Sequence, residues 1–108
     1  MIPLYQENLN EIVDAIVQTG LAQKIIVFGS YARDELRANS DIDICVLTTD
    51  KERRNLDVAI DIGHAISRIK KIPTDLLVFK PDEYAKRIDV LNSVEKEINR
   101  DGVILYEQ

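Results

Sequence analysis

The stretch DIDICVLT at 41–48 constrains the fold more than any other part of the chain. Side chains two apart on an extended strand point the same way, so Asp41, Asp43, Cys45 and Leu47 share one face while Ile42, Ile44 and Val46 share the other. A strand of this kind belongs in a sheet interior, with two acids converging on one small volume at its leading end.

The flanking segments arrange themselves around it. The run KIIVF at 24–28, rich in β-branched and aromatic residues, predicts a buried strand that stops at Gly29. SYARDELR at 30–37 predicts a short helix with Ser30 as its N-cap. Upstream, Leu9, Ile12, Val13, Ile16 and Val17 fall at helical spacing, and Asn8 with Glu11 resembles a capping box, predicting a helix over 8–19 that ends at Gly20. A longer helix is expected over 55–70, where Val58, Ile62, Ala65, Ile66 and Ile69 form an apolar stripe that Pro73 ends. TDLLVF at 74–79 predicts a third strand, and Pro81 with Asp82 and Glu83 starts a short helix. Val90, Leu91, Val94 and Ile98 mark a final helix with Gly102 as its C-cap, and VILY at 103–106 an edge strand. The alternation predicts an α/β (α+β) chain with helices covering at least one sheet face.

The 108 residues, without repeats or a Pro/Gly/Ser-rich linker, are expected to form one domain over 1–108. The net charge of −5 argues against direct nucleic acid binding through phosphate contacts, although basic side chains concentrate between Lys51 and Lys71. There is no apolar run of membrane-spanning length and no leader-like N-terminus, which predicts a soluble, cytoplasmic protein. A single cysteine, Cys45, excludes an internal disulfide, and one histidine, His64, excludes a His-based triad or zinc site within the chain. Cys45 reads as a core residue. Asp57, Asp61, His64 and Arg68 make one helix stripe that reads as a solvated face of paired charges.

Chemistry concentrates in Gly29-Ser30, followed after ten residues by Asp41-Ile42-Asp43, with Asp75 at the head of another predicted strand. A glycine at a strand-to-helix turn lets a phosphate approach the backbone, and the following N–H groups with the Ser30 hydroxyl can donate to its oxygens. Two convergent carboxylates repel unless a cation stands between them, and hard oxygen ligands favour Mg²⁺, which itself bridges triphosphate oxygens. A third carboxylate would complete a two-metal arrangement for phosphoryl chemistry. Against this stands the reading of Ser30 as a simple N-cap and the aspartates as solvated strand ends.

GSYARDELRANSDID resembles the signature of the nucleotidyltransferase superfamily that includes DNA polymerase beta, and within it the minimal nucleotidyltransferases. The likeness runs from the first helix to the final VILY. It implies a polymerase beta-like palm fold, a small mixed β-sheet flanked by helices. It implies Asp41, Asp43 and Asp75 as metal ligands and catalytic residues, Asp75 also as base, with two Mg²⁺ ions expected and ATP as substrate. Gly29, Ser30 and Arg33 are implied as nucleotide-binding residues. Asp34 departs from the pattern, since many members have a second glycine there. Members of this size are encoded beside HEPN-domain proteins and regarded as their antitoxins.

The resemblance therefore implies transfer of AMP from ATP to a hydroxyl, with a tyrosine of a HEPN ribonuclease toxin as acceptor and a hetero-oligomer as the assembly. So small a chain has room for the nucleotide half of a transferase site and little for the acceptor half, which also points to a partner. Two alternatives are neutralisation of the partner by binding alone, and transfer to a small molecule or an RNA 3′ end.

Overall fold

The computed structural model describes residues 3–33 and 41–108. Four strands, β1 (Ala22–Phe28), β2 (Ile42–Thr48), β3 (Thr74–Phe79) and β4 (Val103–Glu107), form one sheet in the order β3-β2-β1-β4. β1 is antiparallel to both β2 and β4, whereas β2 and β3 run parallel, so the sheet is mixed. Among the described residues the helices are α1 (Pro3–Gln18), α2 (Gly29–Ala32), α3 (Asn55–Ile66), α4 (Pro81–Arg87) and α5 (Val94–Asp101).

The alternation in DIDICVLT sets the layers. Ile42, Ile44 and Val46 enter a core shared with Leu9, Ile12 and Ile16 of α1 and Val58, Ile62 and Ile66 of α3. Cys45 and Leu47 enter a second core with Tyr84 of α4 and Ile98 of α5. Helices thus cover both faces, and β2 is closed off from water along most of its length. Full burial of each of these aliphatic side chains stabilises the fold by about 1.5–3 kcal/mol.

Several element ends differ from the sequence expectation for identifiable reasons. α1 starts at Pro3, where a proline suits a first turn, so Asn8 is not a cap. Asn8 is instead fully buried in mid-helix, its Nδ2 donating to Ile69 O at 3.0 Å and its Oδ1 accepting from Lys71 N at 2.7 Å. The backbone groups beyond α3 are thereby engaged by another element, and α3 ends at Ile66 rather than near 70. At the other end of the chain, the Ser93 hydroxyl accepts from Lys96 N at 3.0 Å and Asn92 adopts a left-handed conformation, φ 63°. That cap fixes the start of α5 at Val94 and leaves Val90 and Leu91 outside it and exposed.

Gly102 does end α5, its N–H donating to Ile98 O at 2.8 Å. The reason is close packing rather than an unusual φ: an added Cβ would strike Ile98 O and Ile26 Cγ2. β4 follows as the edge strand the sequence predicts.

Candidate active site

β1 delivers its last residue, Phe28, opposite Asp43 on β2. The chain then turns at Gly29, with φ +71°, a region L side chains rarely adopt. A Cβ at Gly29 would overlap Asp43 Oδ2. The turn therefore packs directly on the carboxylate, and only glycine meets both demands.

α2 begins at Gly29 itself, capped by Phe28 without any side-chain hydrogen bond. Ser30 is therefore within the helix and not its N-cap, because the sharp turn at Gly29 brings the helix in one residue early. After Arg33, whose N–H donates to Gly29 O at 3.1 Å, the expected continuation of the helix to Arg37, with Asp34, lies outside the described residues.

Asp43 and Asp75 are register partners on the parallel strands β2 and β3, so their side chains leave the sheet on the same face. The two carboxyl groups stand within hydrogen-bonding reach of each other. Burial, reinforced by the negative charges of Asp75, Asp41 and Glu97, pushes Asp43 up to about 6. Asp41 is exposed, one residue before β2, and acts on Asp43 through its charge. Among the described residues no three His, Cys, Asp or Glu side chains converge as a preformed metal cage. The structure thus brings Asp43 and Asp75 together and leaves Asp41 beside them.

An open cleft of about 540 Å³ gathers Gly29, Ser30, Arg33, Asp43 and Asp75, with Phe28, Leu76 and Leu77 as apolar wall. It also contains Glu97, whose Oε1 accepts from Arg33 Nη1 at 3.1 Å. Sequence reasoning missed Glu97, since an acid in the first turn of a short helix is an ordinary dipole partner and nothing in its neighbours links it to residue 33. A second cavity, of about 350 Å³, lies against Leu9, Val27 and Tyr31 and is mostly apolar. Of the site residues expected from the sequence, Gly29, Ser30, Arg33, Asp43 and Asp75 line the first, and Asp41 does not.

Elsewhere, Arg53 pairs with Asp50 and Asp61, and Arg54 with Asp57, all at the surface, so the two acids of the α3 stripe pair with arginines ahead of the helix, while His64 is exposed and Arg68 lies beyond its end. Cys45 is fully buried, and desolvation together with the charge of Glu95 pushes its thiol up to about 12. No helix among the described residues is long and apolar enough to cross a membrane.

Residues 7–98 match the nucleotidyltransferase domain family, and the chain belongs to that family. Among proteins of curated function, no sequence match reaches significance. Among solved structures, a protein of Sulfolobus solfataricus assigned as a nucleotidyltransferase is 23% identical with a TM-score of 0.63, over 94% of this chain and 79% of that one. A chain of a toxin–antitoxin structure with AMP-PNP is 20% identical, TM-score 0.55, over 91% of this chain and 73% of its own. A chain in the structure of tri-AMPylated Shewanella oneidensis HEPN toxin in complex with MNT antitoxin is 22% identical, TM-score 0.54, over 95% and 72%. These likenesses place the fold.

Proposed function

We propose that the protein transfers AMP from ATP to a tyrosine hydroxyl of a HEPN ribonuclease toxin and so acts as its antitoxin. The observation that carries this reading is the pairing of Asp43 with Asp75 directly against the Gly29 turn, in a chain of the nucleotidyltransferase domain family. The nature of the neighbours supports it further, since one holds AMP-PNP and another an AMPylated HEPN toxin.

The donor set fits a hard divalent cation. Two carboxylates held side by side, one of them forced towards its protonated form, are electrostatically unfavourable unless positive charge stands between them. Asp43 and Asp75 would hold Mg²⁺, with Asp41 adjacent for a second ion. Bound there, Mg²⁺ supplies charge neutralisation for a triphosphate.

The remaining work falls to the chain's own groups. Ser30 and Arg33 follow the Gly29 turn along the cleft and offer donors for the outer phosphates. Asp75, on the sheet side of the cleft, is positioned to accept the proton of the incoming hydroxyl, so the new P–O bond forms as pyrophosphate leaves. Most of the rate enhancement then comes from alignment and fixed charge rather than covalent chemistry. The cleft is open to solvent, which suits a hydroxyl carried by another protein.

The test is to incubate the protein with Mg²⁺, ATP and a HEPN protein encoded beside it, and to follow the partner by intact mass. Stepwise AMP additions that disappear in Asp41→Ala/Asp43→Ala support the reading. Additions that persist in that variant overturn it, and growth rescue by the variant equal to wild type would assign neutralisation to binding alone.

A further inference from the structure

We propose that Glu97 is a positioning residue for nucleotide binding, holding the Arg33 guanidinium in the cleft that also contains the paired aspartates. The inference rests on the reading of that cleft as an ATP site.

Arg33 follows α2 directly and its backbone is tied to the Gly29 turn, so its main chain is as well placed as the turn itself. Its side chain is long and 35% exposed, and a guanidinium in that setting samples many rotamers unless something holds it. Glu97, on α5, provides such a hold. It sits in α5 next to Ile98, which is buried in the core under α4 and α5, and its N–H donates to Ser93 O at 3.3 Å. Its carboxylate meets Arg33 Nη1 at 3.1 Å. The pair thus ties the end of the Gly29 turn segment to α5 within the lining of the cleft.

Glu97 lines the cleft itself and adds negative charge near Asp43. If it were only an anion in the cleft, it would oppose a polyphosphate, and its removal would tighten binding. If it orients Arg33, its removal would weaken binding despite the relief of repulsion. The two roles predict opposite signs, and the geometry points to the second.

The experiment compares wild type, Glu97→Ala, Glu97→Gln, Arg33→Ala and the double Ala variant. It measures Kd for a non-hydrolysable ATP analogue with Mg²⁺, KM and kcat for AMP transfer, and thermal melting. Glu97→Ala should weaken analogue binding and raise KM for ATP by about three- to tenfold with kcat nearly unchanged, the size expected for a half-exposed ion pair. Glu97→Gln, which keeps an acceptor oxygen, should recover most of the affinity. In the Arg33→Ala background, Glu97→Ala should add nothing further. Unchanged or tighter binding in Glu97→Ala overturns the proposal, as does additivity with Arg33→Ala. Should Glu97→Ala fail to fold, Glu97→Asp decides instead, because its shorter side chain withdraws the carboxylate from Arg33: weaker analogue binding supports the hold, and wild-type affinity overturns it. Wild-type protein that binds the analogue but modifies no partner overturns the transfer reading alone, because the Glu97 effect is still read in Kd. Wild-type protein that binds no nucleotide overturns both.

Discussion

The Asp43 carboxylate occupies the space that a side chain on Gly29 would need. Turn and acid are therefore one unit, fixed by the pairing of Phe28 with Asp43. Gly29→Ala must relieve both a disfavoured φ and the overlap with Asp43, which we expect to lower stability by about 1–3 kcal/mol in urea unfolding. AMP transfer should fall much further than stability does, because the relief available is movement of Asp43 away from Asp75. Transfer within about twofold of wild type would show that the turn does not position the acid.

Asp43 also dictates a pH signature. Its carboxyl is raised in the folded chain from 3.8 to about 6, so between these values the folded state holds a proton that the unfolded state has released. The contribution of Asp43 to stability is therefore fully present below this window and is lost as pH rises through about 6, on the order of 1 kcal/mol after solvent screening. Asp75→Asn removes the neighbouring charge and should flatten the decline. A divalent cation that binds the pair should raise Tm more at about pH 8 than at about pH 5, since only the ionised pair attracts it. Melting curves against pH with and without Mg²⁺ check both, and a Mg²⁺ effect independent of pH would count against the carboxylate site.

Asn8 makes the third prediction, remote from the cleft. Its amide joins α1 to the segment after α3 by one donated and one accepted hydrogen bond, with no exposure to water. Asn8→Ala leaves Ile69 O and Lys71 N without these partners and should lower stability by about 2–4 kcal/mol. Asn8→Asp keeps the acceptor for Lys71 N and loses the donor to Ile69 O. Denaturant titration of the two variants gives the comparison.

Cys45 offers a reporter of global opening. It is fully buried with its thiol pushed up to about 12, so it should resist thiol reagents in the native protein. Labelling should track unfolding as denaturant is added, and rapid labelling under native conditions would contradict the burial of β2.

Much of the site was legible in sequence because its geometry is local. The two-residue period of DIDICVLT gives the faces of β2 without reference to any other strand, and TDLLVF starts at the residue that β2 then meets in register. Capping was harder to read, since the same polar side chain can serve a helix end or a distant backbone. The sequence places Asn8 at the end of its own helix, whereas its amide serves Ile69 and Lys71. Ser30 was read as a cap, but the left-handed Gly29 starts the helix first. Glu97 was illegible for the opposite reason: its partner, Arg33, is 64 residues away, and only the packing of α5 beside α2 brings them together.

Because Asp43 and Asp75 form one rung of a parallel ladder, their spacing is set by the main chain, where strands lie about 4.8 Å apart. Side-chain identities around the cleft can drift without altering that interval. A residue gained or lost within β2 or β3 cannot be absorbed in the same way, because a one-residue slip turns an acid to the opposite face, among Ile44 and Val46. Descendants of this chain are therefore free to vary in composition far more than in strand length, and the site is inherited as a count of residues.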